Sequence, residues 1–527
     1  MFAIETGDRG RQGRRIAPGL LLLALLAGRS EAQILDAWSL DSGVDATPPL
    51  AQARLDGMGS MRVSVPDENN EINLLDFGRN VTGELDDKPT THIDAYSGPR
   101  RWYDQTTPAD ADEDFRTFPL FFKYNALPNA NNALGGEIFL EGSTGERLIT
   151  PDFRHRFRLP VENSAAGGKD GTLLIGDLNG QVFAAHYAHR FRDWLAAGVR
   201  AGYGHQEEKR DRTNLYLINH EVDDWALELS LAGTAVKEAG PLRNLVLGTN
   251  VQLIQTNIDG LSKDDLHVDE FTWERPTWGF DIHALGDVYD WIRGGLNIRY
   301  KSFDGQEEMD QNWSAQFPLN PTEVTITQHL SSMEEGSRQS QIETRVEARP
   351  PDMPATFGLG FEMGQSEYWL NPFQNINSFQ SAKNERLTAW RLTGGGSYHL
   401  ARGLGLLAAE MSYGLADLDD RVTVPTVRTG SSLFELGLGG EYSVTETLVG
   451  RAGYRLFLED EDRDHEGESQ ELTTQRFALG GGFRLPNGQI FIDAAFQYDF
   501  VDRGEEPGQE FDDEDRSNFT LQVRSLF

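Results

Sequence analysis

The last eleven residues, Ser517 to Phe527, read "SNFTLQVRSLF". Phe519, Leu521, Val523, Ser525 and Phe527 share one parity, and Thr520, Gln522 and Arg524 share the other, with Leu526 as the one apolar residue on the polar side. In a strand, successive side chains point to opposite faces, so this alternation describes a segment greasy on one side and wet on the other. The segment before it repeats the pattern. In "QIFIDAAFQYDF" the positions Ile490, Ile492, Ala494, Phe496, Tyr498 and Phe500 form an apolar face, against Gln489, Asp493, Gln497 and Asp499.

Working back toward the N-terminus, the same rhythm continues to about residue 180, in runs of ten to fourteen residues. In "LRNLVLGTNVQLIQ", Leu245, Leu247, Val251 and Leu253 oppose Asn244, Asn250 and Gln252. Strands of soluble sandwiches are about five or six residues long, whereas a tilted strand crossing a bilayer needs about 9 to 11. The connections alternate as well. Short ones at Lys237, Gly286, Pro350, His399, Ser443 and Leu485 are interleaved with long polar ones at 207–223, 257–275, 302–340, 367–386, 416–431, 459–471 and 501–516. Short turns on one side and long loops on the other are the habit of bacterial outer-membrane barrels, in which the long loops are extracellular. The expectation is an all-β chain: a transmembrane antiparallel up-and-down barrel of about sixteen strands, within a range of fourteen to eighteen. A segment at 134–141 supplies the first strand, and a further pair around 92–124 would raise the count to eighteen. Trp194, Trp225, Trp278, Trp291, Trp390, Tyr398 and Tyr442 fall near strand ends, where amphipathic rings suit the lipid boundary.

Composition agrees with this reading. Only 38% of the 527 residues are hydrophobic, 55 are Gly and none is Cys, so neither a disulfide framework nor a thiolate metal site is available. Residues 1–32 carry Arg9, Arg11, Arg14 and Arg15, the apolar run 19–27 and Ser30-Glu31-Ala32, the layout of a cleaved export signal. The apolar run is too short to span a membrane as a helix. The closing strand, ending on an aromatic, resembles the signal that outer-membrane proteins present to the barrel-assembly machinery, carried here by Phe519, Leu521, Val523 and Phe527. A location in the outer membrane follows, with its lipid and the assembly machinery as partners.

Residues 33–110 lack the barrel rhythm, which leaves 111–527 for the barrel. Between Gly57 and Gly83 stand Gly57, Met58, Gly59, Asp67, Asn69, Asn73, Asp76, Asn80 and Gly83. This order resembles the N-terminal motif of the FadL-like fatty-acid transporters and the related PorV barrels, although the family's Pro-Ala is replaced here by Val81-Thr82. The resemblance implies that the segment enters the barrel as a plug and that hydrophobic or amphipathic small molecules are taken up. A physical reason points the same way: a barrel of this size has a lumen too wide for its own side chains to fill. The other reading of the segment is a periplasmic extension.

The formal charge is −35, and taking away residues 1–32, with five Arg and three acids, leaves −37. Nucleic acid is excluded as a partner. Acid concentrates in "EDEDRDHEGESQE" from Glu459 and "DRGEEPGQEFDDEDR" from Asp502, which could hold Ca²⁺ or Mg²⁺ or simply be solvated. Asp460, Asp462, Asp464 and Glu471 fall at positions 1, 3, 5 and 12 of a calcium-loop register, but His465 occupies the place of the Gly that such a loop needs. No nucleophile elbow, zinc-protease motif or other catalytic constellation is present, so the chain reads as a non-enzyme. His186, His189 and His283 are placed on strands facing a watery interior. Three functions stay open: a plugged transporter, an open cation-preferring porin, and a scaffold for a surface complex.

Overall fold

A computed structural model describes residues 53–61, 63–65, 72–75, 77–86, 88–97, 116–117, 120–149, 172–212, 216–263, 267–317, 320–371, 383–400, 404–420, 427–463, 468–485, 489–503 and 514–526. The chain enters with a single helical turn, Ala53–Asp56, and a 3₁₀ turn, Val81–Leu85. The strands follow in order: β1 Thr90–Ser97, β2 Arg116–Thr117, β3 Leu120–Asn129, β4 Asn132–Ile149, β5 Thr172–Arg192, β6 Leu195–Arg212, β7 Tyr216–Ala239, β8 Leu242–Lys263 and β9 His267–Val288. The second half comprises β10 Ile292–Phe317, β11 Asn320–Ala348, β12 Ala355–Asn371, β13 Lys383–His399, β14 Gly405–Asp420, β15 Val427–Ser443, β16 Leu448–Arg463, β17 Glu468–Arg484, β18 Ile490–Arg503 and β19 Glu514–Leu526.

Every pairing is antiparallel, and the sheet closes because β1 pairs with both β19 and β3. The two-residue β2 continues the β3 side of the β4 ladder, with Arg116 opposite Thr144. The barrel therefore has eighteen spanning strands, not sixteen. The additional pair is β1 and β3, in the 92–124 region. Thr90–Ser97 is only eight residues long, and Leu120–Asn129 carries a run of apolar residues and a Pro rather than a clean alternation. Consequently the barrel begins at Thr90, inside the segment assigned to 33–110.

The long connections are also different from their expected form. The stretch 302–340, read as a loop, is largely a paired hairpin in which β10 continues to Phe317 and β11 starts at Asn320. The same holds at 207–223 and 257–275, which β6 to β9 largely occupy. Beyond the lipid both faces of a hairpin meet water, so the period-two signal vanishes while the backbone ladder goes on. The short turns stay short and lie together at the other end.

The faces sort as the alternation requires. Outward positions include Leu229, Leu247, Val251, Leu253, Phe496, Phe500 and Phe519, all exposed, while Asn250, Gln497, Asp499, Thr520 and Gln522 point inward and are buried. Trp194, Trp291, Tyr398 and Tyr442 stand outward beside the short turns, and Trp225 and Trp278 outward toward the opposite end. Trp390 is half-buried and packs edge-on to Tyr413. A closed wall that satisfies its own backbone and is apolar outside is a structure built for lipid. Phe527 and the export segment 1–32 lie outside the described residues.

Candidate functional site

The barrel's interior holds the described residues of the segment 53–85, and the wall grips them near the segment's start, middle and end. From Ala53 onward its described residues lie against β19, β18 and β17, then β16 to β12, then β10 to β7, and finally β6 to β3. Together they form a collar on the inner wall, seated a few residues in from the short turns of the strands they touch.

Inward glycines make the seat. A Cβ on Gly453 would fall 2.1 Å from the Met58 carbonyl carbon, on Gly439 2.3 Å from the Met58 oxygen, and on Gly358 1.7 Å from the Val63 oxygen. Gly57 lies against Gly480, Val81 against Gly198, and Phe77 with Ile72 against Gly295. At these positions the collar's backbone lies where a wall side chain would otherwise stand. Gly59 has φ +84°, a conformation that glycine adopts without the steric cost a side chain incurs.

Polar wall groups then bind the collar's main chain. Glu410 accepts from the Val63 and Ser64 amides at 2.7 and 3.2 Å, and Arg455 donates to the Gly59 and Ser60 carbonyls. Arg455 also pairs with Glu410 at 3.3 Å and with Glu435. Gln497 donates to the Asp56 carbonyl at 3.1 Å and to Ser60 Oγ at 2.8 Å. Further round, Asn297 and Arg299 donate to the Phe77 carbonyl at 3.0 and 3.2 Å, and Asn250 donates to the carbonyls of Gly78 and Arg79. Asn125 donates to the Glu84 carbonyl at 3.1 Å. Buried amides and carbonyls that would cost about 1 to 3 kcal/mol each if left unpaired are thereby satisfied.

Charge is matched at both ends. The fully buried Glu84 carboxylate sits 2.8 Å from Lys123 Nζ, with His186 and Arg200 nearby. Arg54 reaches out of the collar to Glu441 at 3.0 Å, and Arg451 links Glu441 to Asp493. Three apolar clusters fill the spaces: Leu55, Met58, Met61 and Val65 with Leu406 and Ala408; Ile72 and Phe77 with Leu285; Val81 and Leu85 with Ala133 and Ala188.

Replacing Arg455 by alanine leaves Glu410 and Glu435 as two buried carboxylates without their shared cation. Breaking a buried pair in this way costs about 3 to 5 kcal/mol. Amide exchange at residues 58–64 is expected to accelerate to match, and the change Arg455→Met with Glu410→Gln and Glu435→Gln is expected to restore part of the protection, because the buried charges are gone but the Gly59 and Ser60 carbonyls still lack their donor. Exchange rates unchanged in Arg455→Ala would show that the pair does not hold the collar.

Of the motif residues, Gly57, Met58 and Gly59 form the first seat. Asn73 accepts the Gly78 amide through its carbonyl. Asn80 caps the 3₁₀ turn by accepting from Thr82, and its amide donates to the Leu231 and Thr249 carbonyls. A Cβ on Gly83 would meet the Leu75 nitrogen at 2.6 Å. Asp67, Asn69 and Asp76 lie outside the described residues. His186 and His283 are not in water: both are buried, His186 beside Asn125 and His283 beside Asn80. His189 bonds Asn132 near a short turn.

The calcium-loop register takes a different shape. Asp460 and Asp462 lie on β16, and Asp460 is the cross-strand partner of Glu471 on β17, so the backbone there is a ladder rather than a ligating loop. Asp464 is outside the described residues. Sequence reasoning missed Glu410, Glu435, Arg455, Asn297, Arg299, Glu84 and Lys123. The available signal was the recurrence of glycine at inward positions close to the short turns, at 198, 295, 358, 395, 439, 453 and 480.

No family model matches the sequence, and no curated protein matches it. Among solved structures, a Pseudomonas aeruginosa FadL homologue aligns over 91% of this chain and 99% of its own at 12% identity and a TM-score of 0.36. A mutant of the monoaromatic hydrocarbon channel TodX aligns over 90% and 98% at 10% identity and a TM-score of 0.35. The closed form of the ferric-catecholate import receptor Fiu from E. coli aligns over 83% and 82% at 8% identity and a TM-score of 0.43.

Proposed function

We propose that this chain is an outer-membrane transport barrel, closed near its short-turn end by the 53–85 collar, that admits hydrophobic or amphipathic small molecules from the long-hairpin side. The observation that carries this reading is the collar itself, whose main chain is bound by side chains of β3, β7, β8, β10, β14, β16 and β18. Export by residues 1–32 and insertion through β19 by the barrel-assembly machinery belong to the same reading.

The lumen next to the collar sets apolar side chains among polar ones, which supports an amphipathic cargo. One inward row runs Thr393, Ser412, Glu435, Phe457, Thr474, Val501 across β13 to β18, and the neighbouring rows bring Ala389, Ala416 and Leu433. Phe457 presents its ring there between the Arg455 and Arg476 guanidiniums. The open porin fits less well. A cation-selective constriction needs unneutralised acids, whereas Glu410 and Glu435 pair with Arg455, Asp499 with Arg476 at 2.6 Å, and Glu362 with Arg391 at 2.9 Å.

Intact bacterial cells test the proposal. Cells producing the barrel are expected to take up N-phenylnaphthylamine, a fluorophore that the outer leaflet excludes, faster than control cells, while a hydrophilic chromogenic β-lactam enters at the control rate. Acceleration of the β-lactam alone would establish the porin, and acceleration of neither would leave the scaffold.

A further inference from the structure

On the outer wall, two registered rows cross β5 to β7. Phe183, Tyr203 and Trp225 form an aromatic row, and the next outward row toward the long hairpins is Gln181, His205 and Asp223. Tyr203 and Trp225 pack with ring centroids 4.6 Å apart, and Trp225 is 59% exposed. Below them Leu227, Leu229 and Leu231 face lipid. The polar row therefore begins where the aromatic boundary ends, at the depth of lipid headgroups.

Two residues of that row converge with Glu221 of the next outward row. His205 Nδ1 lies 3.0 Å from Asp223 Oδ1 and 3.9 Å from Glu221 Oε1, and the three ligand atoms all fall within 4.8 Å of one another. Tyr203 donates its hydroxyl to the same Asp223 oxygen at 2.5 Å. His205 and Asp223 are directly opposed cross-strand partners, so their separation is fixed by the ladder rather than by a mobile loop. A tetrahedral zinc ion with bonds of about 2.1 Å spaces its ligand atoms by about 3.4 Å, and the two observed distances bracket that value.

We propose that His205, Asp223 and Glu221 form a divalent-cation site of the zinc class on the outside of the barrel. An imidazole with two carboxylates selects such an ion over calcium or magnesium, which prefer all-oxygen shells. In the empty pair the Nδ1 proton bridges to Asp223; on binding, that proton moves to Nε2 and the Nδ1 lone pair turns to the metal. Tyr203 holds Asp223 from the other side and orients it, as outer-shell groups do. The coordination positions left over face outward, where water or a lipid phosphate oxygen completes the shell. Nothing in the transport proposal is needed for this site; it requires only the barrel wall.

Untagged full-length protein in detergent micelles, titrated with zinc sulfate, is expected to bind one ion that His205→Ala and Asp223→Asn each weaken by at least about tenfold, since even outer-shell changes cost roughly 10- to 100-fold. Heat-modifiable migration of each variant reports that the barrel has folded. A second readout uses the neighbouring ring: Cu²⁺ is expected to quench an increment of tryptophan fluorescence that both Trp225→Phe and His205→Ala remove. Zinc affinity unchanged in folded His205→Ala and Asp223→Asn, or no zinc bound by the wild type, would overturn the site and show an ordinary cross-strand pair.

Discussion

Removing residues 33–86 is expected to convert a nearly silent protein into one that gives steady single-channel conductance in a planar bilayer. The cut ends before Thr90, so all eighteen strands remain and β1 keeps its place between β19 and β3. What is lost is the collar, with Met58, Met61, Phe77 and Val81 and the main chain that Glu410, Asn250 and Asn297 bind. An eighteen-stranded barrel stripped of its inner segment has a lumen too wide for its own side chains to close, so ions should pass.

The position of the cut decides the outcome. A deletion of 33–110, at the boundary that the sequence pattern suggested, also takes β1. Because β1 runs antiparallel to both neighbours, β19 and β3 point the same way, and closing seventeen strands would require a parallel pair. Lipid tolerates no open edge, so this longer deletion is expected to lose the heat-modifiable folded form altogether. A well-folded 33–86 deletion that stays silent would show that something other than the collar closes the lumen.

What was legible in the sequence follows from where side chains see two different solvents. Between the aromatic boundaries one face meets lipid and the other meets protein or water, and there the pattern of Leu247, Val251 and Leu253 against Asn250 is plain. Past that boundary the contrast disappears, which is why β10 and β11 read as a loop although their ladder runs from Ile292 to Ala348. The collar was legible only as a string of Gly, Asn and Asp. Most of its grip was not, because Glu410, Arg455, Asn250 and Asn297 bind main-chain atoms, which any residue supplies. The inward glycines were visible but blended into a barrel's usual glycine content, and only the register that lines them up at one height gives them meaning.

Those glycines supply the second large effect. Gly453→Val puts a branched side chain where Met58 and Gly59 run, with its Cβ 2.1 Å from the Met58 carbonyl carbon and 2.3 Å from the Gly59 nitrogen. Both obstacles are backbone, so no rotamer change relieves the clash, and the first seat of the collar must lift. For the wall the same substitution is favourable, because glycine in a strand interior carries a conformational cost of roughly 0.5 to 1 kcal/mol and valine suits a strand. The two effects fall on different parts: the barrel wall should still fold and show heat-modifiable migration, while residues 53–65 become accessible to protease and conductance appears. Gly450→Val is the control on the same strand, since its Cβ would meet nothing nearer than Val444 at 3.8 Å. If Gly453→Val and Gly450→Val behave alike, protected and silent, the collar does not depend on a glycine seat.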